Sequence, residues 1–95
     1  MKISKRVQYG IMAIVSIAIH SQNGSYVNVL DIAKTNNLPT KYLENIMVDL
    51  RINNLVIGKR GCKNGGYKLR KNPNDITLTE ILNALDNTIL DKSQD

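Results

Sequence analysis

The fold is decided by the stretch KRGCKNGGYKLRK, which occupies residues 59–71. Six of its 13 residues are Lys or Arg, and none is acidic. At its centre, Asn64-Gly65-Gly66 can adopt positive φ angles without strain, as a tight hairpin turn requires. Apolar residues 55–57 precede the turn, and apolar residues alternate with basic ones after it. The stretch therefore predicts a two-stranded ribbon, about residues 55–71, whose tip and outer face carry positive charge.

Length and charge limit the kind of protein that the chain can form. Its 95 residues predict one small domain, residues 1–86, followed by a polar tail, residues 87–95. Residues 1–71 contain 12 Lys or Arg against three acids, a net charge of +9. Residues 72–95 contain one Lys against five acids, a net charge of −4. The strongly basic part indicates a polyanion as the partner.

Hydrophobic periodicity and capping residues predict four helices. Ser4 is the predicted N-cap of the first helix, whose broad apolar face belongs in the core or against a second subunit. The next two helices are short and separated by a break at Asn36-Asn37, as in a helix-turn-helix. The predicted ranges are residues 5–21, 29–35, 40–52 and 78–86. Because the basic ribbon follows the helix pair, the sequence predicts a mainly α protein with a small β-hairpin, a winged helix-turn-helix.

The third predicted helix, residues 40–52, has the pattern of a base-reading element. Its apolar residues recur at spacings of three and four, so polar side chains cover the opposite face. In a major groove, Glu44 can accept a hydrogen bond from cytosine N4, and Asn45 can pair with adenine. The alternative is a solvated acid and a surface amide, and the neighbouring basic ribbon favours the first interpretation. The candidate DNA-contacting residues of this helix are Thr40, Lys41, Tyr42, Glu44 and Asn45.

The ribbon and the N-terminus supply the other candidate contacts. Arg60 is the candidate for insertion into a minor groove, where negative potential concentrates at narrow A·T sites. The lysines are candidates for phosphate contacts, which add affinity without reading sequence, and a solvated basic face is their alternative. Tyr9 is equally suited to packing. These candidates are Ser4, Lys5, Arg6, Tyr9, Lys59, Arg60, Gly61 and Lys63.

The remaining reactive residues favour neither catalysis nor a bound cofactor. Cys62 is the only cysteine, so the chain can form no internal disulfide. Neighbouring cations favour its thiolate, which makes Cys62 a candidate redox switch, although an inert loop residue is the favoured alternative. The sequence shows no metal-ligand spacing and no catalytic constellation, so we expect no metal, no cofactor and no enzymatic activity.

An apolar run near the N-terminus bears on location. It covers residues 11–19, and nine residues fall far short of the roughly 20 that a membrane-spanning helix needs. We therefore expect a cytoplasmic protein without a membrane partner.

Short motifs occur in a consistent order over nearly the whole chain. They are Met1-Lys2-Ile3-Ser4, Tyr9-Gly10, Asp31-Ile32-Ala33, Tyr42-Leu43-Glu44-Asn45, Leu50-Arg51, Leu55-Val56, Arg60-Gly61, Gly65-Gly66-Tyr67-Lys68-Leu69 and Ile76-Thr77-Leu78. With these motifs the chain resembles the bacterial winged-helix repressors of the IscR, NsrR and CymR type. The resemblance implies a homodimer that binds partly palindromic promoter DNA. It also implies that Glu44 and Asn45 read bases, that Arg60 enters the minor groove, and that the N-terminal candidates meet phosphates.

The chain departs from this family in its cysteines. Many members hold an iron–sulfur cluster through three cysteines that precede a long C-terminal helix, and this sequence has no Cys in that region. The resemblance therefore implies no cluster in this chain. Because the sequence stops at Asp95, we expect either a truncated or a naturally short member, in which pairing depends on the first helix. Cys62 is the second departure, since the family has a small or uncharged residue there.

These observations predict a sequence-specific, DNA-binding transcriptional regulator, a repressor by resemblance. The predicted recognition helix, about residues 40–52, lies in the major groove, and the wing, about residues 55–71, lies in or along the minor groove. The alternative is a winged-helix module that binds proteins through its basic ribbon and has no specific affinity for DNA.

Overall fold

The computed structural model describes residues 3–61 and 65–86. It contains four helices and one antiparallel hairpin, so the predicted fold class, a winged helix-turn-helix, is confirmed. The predicted tail and the three ribbon residues Cys62, Lys63 and Asn64 lie outside the described residues. The elements are α1 (Lys5–His20), α2 (Val29–Asn36), α3 (Thr40–Ile52), β1 (Val56–Lys59), β2 (Gly66–Leu69), a 3₁₀ turn (Pro73–Asp75) and α4 (Leu78–Leu85).

Helix α1 is the centre of the domain and contacts α2, α3, α4 and β2. It begins as predicted, because the N–H of Val7 donates to Ser4 Oγ at 3.2 Å and satisfies one of the free donors of the first turn. Its core face is fully enclosed by the other helices. Gly10 lets α4 approach closely, since a Cβ built there would lie 2.3 Å from Leu85 Cδ1.

Helices α2 and α3 form the helix-turn-helix. Asn28 caps α2 by accepting from the N–H of Leu30 at 2.7 Å, and Asn37 ends it in the left-handed region with φ of 55°. Asn36 extends α2 by one residue beyond the prediction and donates to Ser16 Oγ on α1 at 2.8 Å. This partly buried hydrogen bond helps to fix the orientation of α2 against α1.

The buried stripe of α3 is the one that the sequence predicts. Its members are all almost inaccessible to solvent, and they are Leu43, Ile46, Met47 and Leu50. Because α3 buries this face against α1, α2 and α4, its opposite face is left to solvent.

The predicted tight turn at Asn64-Gly65-Gly66 is wrong at Gly66, which belongs to β2, and Asn64 lies outside the described residues. Lys59 pairs with Gly66, so the six residues 60–65 connect the strands. A Cβ on Gly65 would lie 2.2 Å from the carbonyl oxygen of Gly61. The backbone segments at Gly61 and Gly65 therefore lie close together at the base of the loop. A side chain would therefore clash at Gly65, at the base of the loop, and at Gly66, at the start of β2 next to Val27.

A third extended segment supports the hairpin. The N–H of Val27 donates to the carbonyl of Tyr67 at 2.7 Å, and the N–H of Tyr67 donates back at 2.8 Å. The extended segment at Tyr26-Val27 thus joins the wing to the start of the helix-turn-helix.

A capping box formed by Thr77 and Glu80 opens α4. The N–H of Glu80 donates to Thr77 Oγ1 at 3.2 Å, and the N–H of Thr77 donates to Glu80 Oε1 at 3.0 Å. The ammonium of Lys71 donates to the other carboxylate oxygen, and this hydrogen bond, followed by the one from Thr77, lowers the pKa of Glu80 below its ordinary value. Across residues 3–61 and 65–86, none of the helices has the length and apolar character needed to cross a membrane.

Candidate nucleic-acid interface

The solvent-facing side of α3 carries the predicted base-contacting residues. Lys41, Glu44 and Asn45 are exposed, and Thr40 is half-buried at the first position of the helix. Val48 stands on the same side, three residues after Asn45 and four after Glu44, with 39% of its surface exposed. We call Lys41, Glu44, Asn45 and Val48 the reading face.

Tyr42 lies at the edge of the reading face, and its side chain points toward α1. Its ring meets that of Tyr9 edge to face, with centroids 5.6 Å apart and planes at 81°. Such an aromatic pair stabilises the contact between two helices beyond the area it buries. Tyr9 is half-buried and packs on the core, so its position fits the packing interpretation, while Tyr42 stays partly exposed.

The N-terminal candidates separate into residues with and without partners inside the domain. Ser4 caps α1 and also donates to Asp86 Oδ1 at 3.0 Å. Arg6 forms an ion pair with Asp49 of α3, and only 18% of its side chain is exposed. Lys5 is exposed and has no ion-pair partner among the described residues. Arg6 therefore holds α3 against α1, a structural contact that the sequence did not predict.

The wing presents its cations close to an aromatic ring. Lys59 and Lys68 place their ammonium groups 5.4 Å and 4.9 Å from the ring centroid of Tyr26, which is within range of cation–π attraction. Arg60 and Gly61 are exposed where the described part of the loop ends. Lys59 and Arg60 line a hollow together with Arg51 of α3, and Lys63 lies outside the described residues.

A groove runs between the last turn of α3, the base of the wing and the first residues of α2. Its basic side chains are Arg51, Lys59 and Arg60, and Asn28 and Val29 form the opposite wall. We call this hollow the α3–wing groove. Arg51 was not among the predicted site residues, since a basic residue in the last turn is also what the helix dipole favours. Val48 was missed too, although its spacing from Glu44 is a signal that could have identified it.

The domain is similar to known proteins in sequence and in structure. Residues 3–94 match the family model described as "Rrf2: Iron-dependent Transcriptional regulator". The HTH-type transcriptional regulator IscR of Pectobacterium atrosepticum is 35% identical over 89 residues, which cover 94% of this chain and 53% of that protein. The chain thus spans about half the length of the curated relatives it matches.

Solved structures give the same result. The structure of CymR (YrzC), the global cysteine regulator of B. subtilis, superposes with a TM-score of 0.83 at 35% identity, covering 90% of this chain and 65% of that one. The structure of T. potens IscR superposes with a TM-score of 0.79 at 29% identity, covering 99% of this chain and 74% of that one.

The family description names iron dependence, which raises the question whether the described side chains could bind iron. Within residues 3–61 and 65–86, no three His, Cys, Asp or Glu side chains come together in a group that could hold a metal ion. The described residues therefore do not fit an iron site.

Proposed function

Because this chain belongs to the Rrf2 family of transcriptional regulators, we propose that it is a sequence-specific DNA-binding repressor. The observation that carries the proposal is the exposed polar side of α3 lying beside a basic wing. The reading face offers groups that recognise base edges, and the wing offers cations that bind the phosphate backbone. The similar IscR protein of Pectobacterium atrosepticum is a transcriptional regulator, which does not favour the alternative of a protein-binding module.

We infer that α3 enters the major groove with its N-terminal half against the base edges. Glu44 accepts from the amino group of cytosine, and Asn45 pairs with adenine. Glu44 is the single acid of the reading face, which otherwise carries Lys41, Asn45 and Val48. A carboxylate near phosphates lowers affinity for every sequence, so its effect is discrimination between base pairs.

The wing follows the adjacent minor groove. Arg60 is the residue that we propose to enter it, because its exposed guanidinium stands at the start of the loop. Lys5, Lys41 and Lys59 add phosphate contacts, which make binding depend on salt concentration. Ser4 and Arg6 act indirectly, by capping α1 and by holding α3 in position.

We further propose a homodimer on partly palindromic promoter DNA in the bacterial cytoplasm. Val15 and Ile19 support it, since they stand one turn apart on α1 with 51% and 57% of their surfaces exposed. Two apolar side chains at this spacing form a short stripe that a second copy of the chain can cover. Two copies related by a two-fold axis would place two reading faces on two half-sites.

Binding-site selection from a random duplex library tests the proposal. The selected duplex is compared with unrelated duplexes over a series of salt concentrations. We expect a clear preference for the selected sequence, and Glu44→Ala is expected to lower that preference by about tenfold while affinity for unrelated duplexes is kept or rises. Asp75→Ala is the matched control, because it removes an exposed acid from the 3₁₀ turn. A wild-type chain without sequence preference would contradict the proposal.

A further inference from the structure

The α3–wing groove has a shape and a charge that suit one particular part of a DNA duplex. We propose that this groove binds the sugar–phosphate strand that separates the major groove from the minor groove, with Arg51 as a phosphate ligand. The inference rests on the proposed function, and it adds a residue and a contact that neither the sequence nor the family match assigns.

The geometry of a duplex favours this assignment. If α3 lies in the major groove and the wing in the adjacent minor groove, the strand between the two grooves must pass between α3 and the wing. The α3–wing groove is the space that remains there, bounded by Arg51 at the end of α3 and by Gly58 and Lys59 on the wing. A phosphate is therefore brought next to these side chains by the two contacts that are already proposed.

The placement of Arg51 also supports its role as a phosphate ligand. Its aliphatic stem lies along β1, since a Cβ built on Gly58 would come within 3.4 Å of Arg51 Cδ and within 3.3 Å of Tyr67 Cε1. Gly58 leaves this space open, so the stem rests on the strand while the guanidinium group remains exposed. A guanidinium whose stem is already positioned loses less entropy when it binds a phosphate through two hydrogen bonds.

The charge of the side chains that line the groove also favours a phosphate ligand. Arg6 and Lys71 form ion pairs with carboxylates, whereas Arg51 and Arg60 have no such partner among residues 3–61 and 65–86. The first turn of α2, at Asn28 and Val29, also faces the groove, and the positive end of the helix dipole favours an anion there. The one acid of that turn, Asp31, borders a separate hollow. The potential of the groove is therefore positive and available to a ligand.

The test compares Arg51→Gln with the wild-type 95-residue chain on the selected duplex and on unrelated duplexes. We expect affinity to fall about tenfold on both kinds of duplex, because a phosphate contact carries no sequence information. The slope of log affinity against log salt should fall by about one. Lys34→Gln is the charge-matched control, since Lys34 is exposed at the end of α2 and borders the other hollow; its slope should stay that of the wild type.

A second variant separates the charge from the packing of the stem. Arg51→Lys keeps a cation on a long apolar stem, so it should restore the salt slope; a slope that stays reduced would overturn the role of the charge. A single neutral methylphosphonate, moved along the selected duplex, should weaken the wild type at one phosphate and leave Arg51→Gln unaffected there. An unchanged slope in Arg51→Gln, or a loss confined to the selected sequence, would overturn the inference. Both results require a wild type that prefers the selected duplex, whereas failure of the proposed function is the absence of that preference.

Discussion

Glu44 and Val48 are four residues apart on α3, and their side chains differ in what they can recognise. The rise of 1.5 Å per residue separates them by about 6 Å along the helix, close to two base steps of about 3.4 Å. Glu44 is an acceptor that selects an amino group. Val48 is a branched apolar group, which in a major groove makes its best contact with the methyl group of thymine. We propose that the reading face combines one polar and one apolar criterion for sequence.

Val48→Ala tests the apolar criterion. We expect the substitution to weaken binding to the selected duplex about fivefold, because two methyl groups lose their burial. Replacing the contacted thymine by uracil removes the other half of the contact, so the two changes together should cost little more than either alone.

Leu30→Ala serves as the control, since it shortens an exposed apolar side chain on α2 and should leave the affinity unchanged. If Val48→Ala weakens the thymine and uracil duplexes equally at every position, Val48 does not contact a thymine methyl group.

At the scale of elements, the wing is held in place because β2 forms backbone hydrogen bonds both to β1 and to Val27. The Val27–Tyr67 hydrogen bonds tie β2 to the segment before α2, and the register of β1 against β2 sets where Arg60 leaves the sheet. Gly66 stands at the junction of these contacts, with φ of 142°. The position of the wing relative to α3 therefore depends on a backbone conformation as much as on side chains.

Gly66→Ala is expected to release the wing. A Cβ there would lie 2.3 Å from the carbonyl oxygen of Val27, so the strand must shift and the two hydrogen bonds to Val27 are lost. We expect the free energy of unfolding to fall by more than about 2 kcal/mol, and DNA affinity to fall with it. Urea unfolding followed by circular dichroism measures the first effect.

Gly24→Ala is the matched control for this change. Gly24 also has a positive φ, of 86°, but a Cβ there would meet no atom within 4 Å. Only the conformational cost of about 1 kcal/mol should remain. Equal losses in the two variants would show that the contact with Val27 contributes nothing.

At the scale of the whole molecule, polar and apolar groups are exposed on different elements. The reading face is on α3 and the exposed cations Lys59 and Arg60 are on the wing, whereas α1 exposes Val15 and Ile19. A domain of this size buries a limited core, so covering an apolar stripe with a second copy would add to its stability. The proposed dimer would also double the number of phosphate contacts and thereby steepen the dependence on salt.

Replacing both Val15 and Ile19 by Asp tests the pairing. We expect the wild-type chain to approach twice its mass of 10.6 kDa in sedimentation equilibrium, and the double variant to stay at the mass of one chain. Two buried carboxylates cannot stay charged and unpaired in an apolar contact, so the variant pair should separate. Leu30→Asp, an equally exposed position on α2, should leave the mass unchanged. A wild type that remains at 10.6 kDa at high concentration would contradict pairing by the chain alone.

The sequence by itself determined the local features of this protein. Caps at Ser4 and Thr77, the buried stripe of α3, and the order of helix pair and basic hairpin all follow from residues within a few positions of one another, where periodicity and turn chemistry apply. These features were enough to predict the fold class and to place the candidate residues on α3 and the wing.

Only the tertiary structure decided which distant residues meet. The pairing of Arg6 with Asp49, the packing of the Arg51 stem beside Gly58, and the bridge from Val27 to Tyr67 depend on how the elements pack. The length of the wing loop was mispredicted for a related reason. Glycines permit several turns, and the cross-strand register, set here by packing against Val27, selects one of them. Spacing along the chain cannot show that Arg6 is already paired while Arg51 has no acidic partner among the described residues, and that difference determines which cation is available to DNA.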